Sequence, residues 1–438
     1  MYADNINQLW AALVVEELAR HGITHFIIAP GSRSAPLAVA VARNPKVTAL
    51  VHFDERGAAF AALGAGKAEK TAALICTSGT ALANCFPAVA EACLSATPLI
   101  IISADRPPEL QNCGANQTMP QQGIFGNYVR FHETLPCPDA TIPLEVVLKK
   151  IDALAAAIGK PGNGGAAHLN CMYREPLAPL PVENPWPDNY LHDIKDWEKT
   201  NQPVRTLLLP CPSLSCEQLE LLRKLVCASR NGLLLIGRLS SAEAYVAAIE
   251  FAESIAWPVF ADIASNCRKQ VANNIYCYDS LLRSEAFREL CSPDLILHIG
   301  DTFVSKRLQE HLSSLQVNYI HINSRGDNRD PSHSVTHHWH VDIPTACRQL
   351  LEVSKDSAPS SLLEKFKAAN AAASVVIQEH LEASGEFTES FVAKEVGSLC
   401  PAGYNLFIGN SMPVRDMDLV TAACSADAIQ VNRGVSGI

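Results

Sequence analysis

The segment TAALICTSGTALANCFPAVAEACLSATPLIIISADRPPEL (residues 71–110) decides the fold predicted for the first part of the chain. Two short apolar runs, TAALIC and TPLIIIS, have the length of buried strands, and the stretch 81–94 between them has the length of a helix. Strands that alternate with helices form a parallel sheet covered by helices on both faces. The segment therefore predicts an α/β fold.

The same alternation continues towards the N-terminus, and each predicted strand there ends in a short polar sequence. THFIIAP precedes a predicted helix over 34–42, and VTALVHF precedes a predicted helix that follows Glu55. The four polar strand ends are Pro30-Gly31-Ser32-Arg33-Ser34, Asp54-Glu55-Arg56, Thr77-Ser78-Gly79-Thr80 and Asp105-Arg106-Pro107-Pro108. Because ligands of open α/β sheets bind beyond the carboxyl ends of the strands, these ends predict one site.

Two linker-like stretches divide the rest of the chain. Five prolines lie between 174 and 193, and SKDSAPSS covers 354–361. Between them, GLLLIGRLS, WPVFADI, PDLILHIGD and VNYIHINSR predict the strands of a second α/β unit, and YNLFIGNS and AIQVNRGVSGI belong to a third. We predict domains at 1–190, 200–350 and 360–438. The third is expected to be cut short at its C-terminus, since one or two strands make a poor sheet.

The composition excludes several classes of protein. A net charge of −10 argues against a nucleic-acid-binding protein, which usually carries a basic excess. The fifteen cysteines include no C-x-x-C pair, which favours reduced thiols in a cytoplasmic protein over a disulfide framework or a zinc site. No stretch is long and apolar enough to predict a membrane span.

Glu55 has two interpretations. A carboxylate at the start of a helix is favoured by the helix dipole and caps free N–H groups, and for Glu55 alone this is the simpler explanation. The functional interpretation is an acid buried between an apolar strand and an apolar helix, where desolvation raises its pKa and keeps it available for proton chemistry. Pro30-Gly31-Ser32-Arg33-Ser34 is equally ambiguous between a capped turn and an anion-binding site.

The later motifs are weaker when each is taken alone. Lys306 and Arg307 stand at a predicted helix start, where the dipole disfavours cations unless an anion is bound, and Ser411, Arg415 and Arg433 follow strand ends. A solvated surface pair explains Lys306 and Arg307 equally well, and a capping serine and solvated arginines are the simpler explanation of the other three. HSVTHHWH (333–340) lacks the cysteine or acid spacing of a known ligand set, so no metal site is predicted there. A generic NAD enzyme is unlikely because no G-x-G-x-x-G sequence is present.

Taken in order, the motifs resemble one enzyme family. The segments APGSRS, HFDERG, TSGTA, ADRPPEL with CGANQ, KRL, GNS with VR, and NRGVSGI are similar to those of the 2-succinyl-5-enolpyruvyl-6-hydroxy-3-cyclohexene-1-carboxylate synthases (the MenD family). These thiamine-diphosphate (ThDP) enzymes decarboxylate 2-oxoglutarate and add the succinyl unit to isochorismate in menaquinone and phylloquinone biosynthesis. The resemblance extends from Leu9 to Ile438 and implies pyrimidine-binding, central and diphosphate-binding domains in that order.

The resemblance also implies a cofactor, partners and site residues. The cofactor is ThDP with Mg²⁺, the substrates are two dianions, and the assembly is a homodimer or homotetramer. Glu55 is the implied catalytic residue, which holds a proton at the pyrimidine ring of the cofactor. The other implied cofactor contacts are Pro30, Thr77, Gly79 and Ile438. The implied substrate-binding residues are Ser32, Arg33, Arg106, Gln117, Lys306, Arg307, Ser411, Arg415 and Arg433.

One departure from the family pattern limits what this polypeptide is expected to do. The family's motif for Mg²⁺ and diphosphate, Gly-Asp followed by Asn-Asn, is expected beyond Ile438, so no metal ligand is predicted in this chain. We therefore expect residues 1–438 alone to lack synthase activity. Two alternatives stay open: another ThDP-dependent decarboxylase or carboligase, such as an acetolactate synthase, and a non-catalytic relative that keeps the anion-binding pocket.

Overall fold

The computed structural model describes residues 3–383 and 387–435. The chain divides into two compact units, Met1–Leu209 and Pro210–Ile438, which are described separately below. Within the described residues, no helix combines the length and the apolar character needed to cross a membrane.

The first unit is built on a six-stranded parallel sheet with the order β2-β1-β3-β4-β6-β5. Its strands are β1 (His25–Ile28), β2 (Thr48–Val51), β3 (Ala72–Cys76), β4 (Leu99–Asp105), β5 (Val129–Leu135) and β6 (Ala166–Met172). The four predicted strands are confirmed, and β5 and β6 were missed. β6 reads AAHLNCM, and its buried histidine and asparagine break the apolar run that marks a central strand.

Helices cover both faces of this sheet. They are α1 (Ile6–Arg20), α2 (Ala35–Arg43), α3 (Glu55–Lys67), α4 (Thr80–Ala83), α5 (Phe86–Ser95), α6 (Leu144–Ala157) and α7 (Lys195–Glu198). One core lies under α1, α2 and α6, and the other lies under α3 and α5. The single helix predicted over 81–94 is wrong, because Pro87 is tolerated only in a first helical turn and a new helix begins at Phe86.

The proline-rich stretch after β6 packs against the first core. Leu177, Tyr190 and Trp197 are buried there, and the side-chain amides of Asn5 and Asn7 donate hydrogen bonds to backbone carbonyls of this stretch. It is an extended segment, as expected from its prolines, and it forms part of the first unit. The three-domain division stays a prediction.

The second unit contains a five-stranded parallel sheet with the order β11-β10-β9-β7-β8. Its strands are β7 (Gly232–Ile236), β8 (Val259–Ala261), β9 (Leu295–Ile299), β10 (Asn318–Asn323) and β11 (His337–His340). The surrounding helices are α8 (Cys216–Ala228), α9 (Ala242–Ser254), α10 (Tyr278–Leu281), α11 (Glu285–Leu290), α12 (Lys306–Ser313), α13 (Ile343–Ser354) and α14 (Leu363–Ala383). The four predicted strands are confirmed, and the histidine-rich sequence forms a fifth.

A third, two-stranded parallel sheet follows in the same unit. It pairs β12 (Asn405–Ile408) with β13 (Ala428–Val431), next to helices α15 (Glu389–Leu399) and α16 (Met412–Val420). Three successive parallel sheets, each with helices next to it, confirm the predicted fold class. The third sheet has two strands within the described residues.

Candidate active site

The carboxyl ends of β1 and β3 lie in direct contact at one edge of the six-stranded sheet. A Cβ atom on Gly31 would stand 2.3 Å from Cβ of Thr77, so only glycine fits there. The segment 30–34 after β1 and the segment 77–80 after β3 therefore meet, as the strand-end argument predicted.

Arg33 is a nearly buried cation at this edge. Its Nη1 donates a hydrogen bond to the Tyr173 carbonyl (2.9 Å), and its Nη2 lies 3.3 Å from a carboxylate oxygen of the exposed Glu175. Burial, and after it the positive charge of Arg106, lowers the pKa of Arg33. Ser32, the preceding residue, is exposed.

Arg106 follows β4 and adds a second guanidinium to the same edge. Its Nε is buried and makes no hydrogen bond within the described part of the chain. Its backbone N–H donates to the Asp105 carboxylate (2.7 Å). An anionic ligand would stabilise two guanidinium groups that lie close enough to repel each other, one of which has an unpaired N–H.

Gln117 is locked to the strand end that contains Gly79. The Gln117 side chain donates to the Ser78 carbonyl (3.0 Å), and the Ser78 hydroxyl donates to the Gln117 carbonyl (3.0 Å). Gly79 has φ +82°, and a Cβ on it would stand 3.0 Å from Cγ of Gln117. The glycine leaves a cradle beside Gln117 that any other side chain would fill.

Glu55 begins α3, but it does not cap that helix. The cap is Asp54, whose carboxylate accepts the Gly57 N–H (2.9 Å), and Glu55 makes no hydrogen bond or ion pair with the described residues. Its carboxyl group is close enough to the buried Cys76 thiol to contribute, after the thiol of Cys85 and burial, to a raised pKa of Cys76. The capping interpretation of Glu55 is thereby weakened.

The environment of Glu55 differs from the expected one. We expected a buried strand before it, but β2 is an exposed edge strand. Val51 at its end is 64% exposed, Phe53 in the turn after it is 90% exposed, and Glu55 itself is half-buried. The apolar sequence VTALVHF predicted burial because apolar runs usually lie in cores, whereas here the apolar side chains of the edge strand face outwards.

In the second unit, Lys306 and Arg307 are the first two residues of α12, and both are exposed. Arg307 forms an ion pair with Asp279, and Lys306 lies 3.3 Å from Glu310 one turn later. These carboxylates offset the unfavourable helix dipole, so the position of the two cations does not by itself require an anionic ligand.

Ser411 and Arg415 lie at the start of α16, and both are exposed. Ser411 adopts φ +69° and ψ −123°, an unusual backbone for a residue other than glycine, and its side chain makes no capping bond. Strained residues of this kind concentrate at functional sites. Arg433 follows β13 and is half-buried, close enough to Asp262 to affect the pKa of that carboxyl group. Ile438 lies outside the described residues.

Sequence analysis missed the buried ion pair that holds α16. Arg268 and Asp418 are both nearly inaccessible and form an ion pair, and Asp418 also accepts hydrogen bonds from the Ile263 N–H (3.0 Å) and the Tyr278 hydroxyl (2.9 Å). Burial raises the pKa of Asp418, and Arg268 opposes that rise. Nothing in the local sequence separates this buried pair from the exposed charges around it.

A metal site is not found at these strand ends. Among the residues that the structure describes, the one group of three possible ligands is Glu17, His21 and Asp152, on α1 and α6. Because α1 leads into the start of β1, this group lies at the amino edge of the sheet, opposite the strand ends. The histidines of 333–340 belong to β11 and its preceding loop, and no cluster with metal-ligand spacing includes them.

Comparisons with known proteins agree with this layout. The family described as "Thiamine pyrophosphate enzyme, N-terminal TPP binding domain" matches residues 10–127, and "Middle domain of thiamine pyrophosphate" matches residues 188–408. A 2-succinyl-5-enolpyruvyl-6-hydroxy-3-cyclohexene-1-carboxylate synthase of Salinibacter ruber is 37% identical over 100% of this chain and 74% of its own length.

Two further relatives extend the comparison. The synthase of the same name from Chlorobaculum tepidum is 37% identical over 100% of this chain and 75% of its own length. "Protein PHYLLO, chloroplastic" of Arabidopsis thaliana is 34% identical over 99% of this chain and 27% of its own length. The chain therefore belongs to the 2-succinyl-5-enolpyruvyl-6-hydroxy-3-cyclohexene-1-carboxylate synthase family of thiamine pyrophosphate enzymes.

Proposed function

We propose that this chain serves a ThDP-dependent synthase that decarboxylates 2-oxoglutarate and adds the succinyl unit to isochorismate. The observation that carries the proposal is the pair Arg33 and Arg106, two guanidinium groups that repel each other at one sheet edge. Isochorismate is a dianion, and planar guanidinium groups bind carboxylates in pairs. The relatives named for this reaction support the same substrate class.

The residues present fit the ring part of the cofactor. Gly79 leaves a cradle beside Gln117, and Glu55 carries a carboxyl group with no partner of its own. ThDP supplies the carbanion chemistry when bound. In the proposed arrangement Glu55 holds a proton against a ring nitrogen of the pyrimidine, while Pro30, Thr77 and Gly79 line the cofactor.

The residues present do not fit the metal. The cluster on α1 and α6 lies away from the strand ends, so we route no step through Mg²⁺ bound by this chain. The expectation that residues 1–438 alone show no synthase turnover stays a prediction, and an assay of the purified chain with both substrates decides it. That the protein assembles as a homodimer or homotetramer and that it is cytoplasmic are likewise proposals.

The substrate-binding residues divide by substrate in this proposal. Arg33, Arg106, Lys306 and Arg307 bind the carboxylates of isochorismate, and Ser32 and Gln117 belong to the same set of substrate-binding residues. Arg415 and Arg433 bind the succinyl carboxylate of 2-oxoglutarate, and Ser411 contacts the reacting group. Both substrates are dianions, which is why a protein of net charge −10 needs local cations.

Arg33→Ala tests the isochorismate half of this division. Loss of a charged, partly desolvated contact is expected to weaken isochorismate binding at least about tenfold, as measured by titration calorimetry on the purified chain. Arg223→Ala removes an exposed arginine paired with Asp356 and serves as the matched control, which should leave the affinity unchanged. An unchanged affinity in Arg33→Ala contradicts the assignment.

Arg415→Ala tests the other half. We expect it to weaken 2-oxoglutarate binding about tenfold and to leave isochorismate binding unchanged, because its guanidinium is assigned to one substrate only. The same calorimetric titrations measure both affinities. The opposite pattern, weaker isochorismate binding with normal 2-oxoglutarate binding, would show that the division is wrong.

The two alternatives predict different results. An acetolactate-type carboligase acts on small apolar keto acids, so it would favour pyruvate over 2-oxoglutarate in a decarboxylation assay. A non-catalytic relative would bind isochorismate without turning over either keto acid in any preparation. The unpaired carboxyl group of Glu55 favours the enzyme, since a binder of anions gains nothing from a second negative charge at its site.

A further inference from the structure

A network of hydrogen-bonded, buried polar side chains lies beneath the edge of the six-stranded sheet where the strands end at Gly79 and Arg106. None of its members figures in the proposed mechanism, and each is at most 2% exposed. They are Ser103, Asp105, Gln121, His168 and Asn170. Burying polar groups costs free energy unless each finds hydrogen-bond partners, so a connected set of this kind calls for a structural reason.

Asn170 on β6 is the centre of this network. Its Oδ1 accepts hydrogen bonds from the Ser103 hydroxyl (2.7 Å) and the Gln121 amide (2.9 Å), and its Nδ2 donates to the Asp105 carboxylate (2.8 Å). The reverse amide orientation would aim the Asn170 NH₂ at the NH₂ of Gln121 and the Asn170 oxygen at the Asp105 carboxylate. Only one orientation is therefore satisfied, and it holds three neighbours in place.

Gln121 connects Asn170 to the strand end after β3. Its Oε1 accepts the Gly79 N–H (2.8 Å), and its Nε2 also donates to the Ala104 carbonyl (3.1 Å) on β4. The backbone at Gly79, with its positive φ, is thus tied by one side chain to the neighbouring strand.

Asp105 connects Asn170 to the strand end after β4. Its Oδ1 accepts the Arg106 N–H (2.7 Å) and the Gln111 amide (3.2 Å), and Gln111 donates in turn to the Arg106 carbonyl (2.9 Å). The backbone of Arg106 is therefore held on both its N–H and its C=O side.

His168 is the last member of the network and is linked to it through Ser103. Its Nε2 lies 2.8 Å from the Ser103 hydroxyl, whose single proton goes to Asn170. His168 must therefore donate, which requires a proton on Nε2. Burial lowers the pKa of His168 to about 3 and so keeps the ring neutral.

We infer that Gln121, Asn170 and Asp105 are positioning residues that set the spacing between Gly79 and Arg106. Gly79 is a proposed cofactor contact and Arg106 a proposed isochorismate contact, so the consequence for binding rests on the proposed function. The spacing itself does not, because all of these hydrogen bonds lie within the first unit and involve no ligand.

Hydrogen exchange tests the positioning without any ligand. Gln121→Met keeps the side-chain volume and removes every bond that Gln121 makes. The Gly79 amide loses its partner directly, whereas the Arg106 amide keeps its own. Hydrogen exchange is measured by mass spectrometry on the purified chain. If the Arg106 amide exchanges about tenfold faster in Gln121→Met, the effect of the substitution passes through Asn170. Unchanged exchange at Arg106 overturns the inference.

The matched control is Thr97→Val. It removes a buried hydroxyl bond, Ser95 Oγ to Thr97 Oγ1 (2.8 Å), at the opposite end of β4, and should leave exchange at Gly79 and Arg106 unchanged. A control that accelerates exchange at both amides would mean that any loss of stability produces the effect, and it would overturn the inference too.

Isochorismate affinity supplies the functional readout. Gln121→Met is expected to weaken binding about tenfold at pH 6 and at pH 8. Gln121→Glu keeps the acceptor for Gly79 but donates to Asn170 only when protonated, so its affinity should be weak at pH 8 and recover at pH 6. Weak binding without recovery overturns the positioning role in binding. A wild-type chain that binds no isochorismate refutes the proposed function, while the exchange result still decides the positioning.

Discussion

The carboxyl group of Glu55 can be explained by the helix dipole or by a role in ligand binding. A carboxylate at the first turn of a helix is favoured by the helix dipole, and this alone would explain an acid at the start of α3. The structure assigns the capping bond to Asp54, which accepts the Gly57 N–H, and leaves the Glu55 carboxyl group without a partner. An acid at an apolar edge with no hydrogen bond of its own is available to a ligand.

Glu55→Gln is expected to lower the rate of 2-oxoglutarate decarboxylation at least about 100-fold, the lower end of what a positioned acid or base contributes. The amide cannot hold or release the proton that the proposed role requires. The rate is measured in a form of the enzyme in which the unsubstituted chain turns over, with circular dichroism to follow the fold.

Glu145→Gln is the control for this substitution, since Glu145 is half-buried on α6, as Glu55 is on α3, and forms an ion pair with Lys149 one turn later. A near-normal rate in Glu55→Gln, with both folds intact, would exclude Glu55 as the catalytic acid.

At the scale of the element, three neighbouring strands of the second unit carry a ladder of histidines. His298, His321 and His338 occupy paired positions of β9, β10 and β11, and the ring centroids of the first two are 4.2 Å apart. His298 donates from Nε2 to the Asp301 carbonyl (3.1 Å) and as a neutral ring accepts the Tyr319 hydroxyl at Nδ1 (2.9 Å), and His321 donates to the Gly300 carbonyl (2.7 Å). The sequence HSVTHHWH forms this strand and the loop before it.

This ladder predicts a loss of stability in acid. Burial lowers the pKa of His321 to about 4 and that of His298 well below its usual value. At these two histidines the unfolded chain therefore binds more protons than the folded one below about pH 6.5, and their contribution to stability falls with pH. Each of the two histidines is expected to cost about 1.4 kcal/mol per pH unit in this range, until His321 itself takes up a proton near its folded pKa.

Urea unfolding at pH 7.5, 6.5 and 5.5 measures the effect, with 5-fluorotryptophan signals of Trp257 and Trp339 reporting on the second unit. His321→Gln keeps a donor for the Gly300 carbonyl and removes one titrating group, so the change in free energy of unfolding between pH 7.5 and 5.5 should differ from that of the unsubstituted chain by about 1.3 kcal/mol, with less loss in acid. The same pH dependence in both chains contradicts the prediction.

At the scale of the whole molecule, the boundary between the two compact units falls at Leu209 and Pro210. Leu208 is 91% exposed, and residues 206–213 form neither helix nor strand. The proline-rich stretch 174–193, which looks more like a linker in the sequence, contributes buried side chains to the first unit instead. The prolines correctly indicated that 174–193 is extended. Packing, which the prolines do not show, places the boundary between the units at Leu209 and Pro210.

Thermolysin is therefore expected to cut the chain first at residues 207–209 and to leave two fragments that resist further cleavage, because exposed irregular backbone is cut before packed structure. Gel electrophoresis and mass spectrometry identify the cut. Val375 and Val376 are an internal control: they are also exposed and apolar, but α14 holds them in a helix. First cuts within α14 or within 174–193 would contradict the prediction.

The sequence by itself determined the α/β class, most strands of the three sheets and the strand ends that carry Arg33, Glu55, Gly79 and Arg106. Apolar runs and glycine-containing polar ends are local signals, because strand formation and sharp turns depend on residues next to each other in the chain. The family resemblance depended on the same local motifs. The expectation that the strand before Glu55 is buried was wrong, because burial depends on what packs against an edge strand.

Only the tertiary structure decided which polar residues act together. Asn170 and Asp105 are 65 residues apart and share a hydrogen bond, and Arg268 and Asp418 are 150 residues apart and share an ion pair. A buried asparagine inside β6 even weakened the strand signal of that segment. The free energy of a buried polar group depends on its partners, and these partners come together only when the sheet order is established.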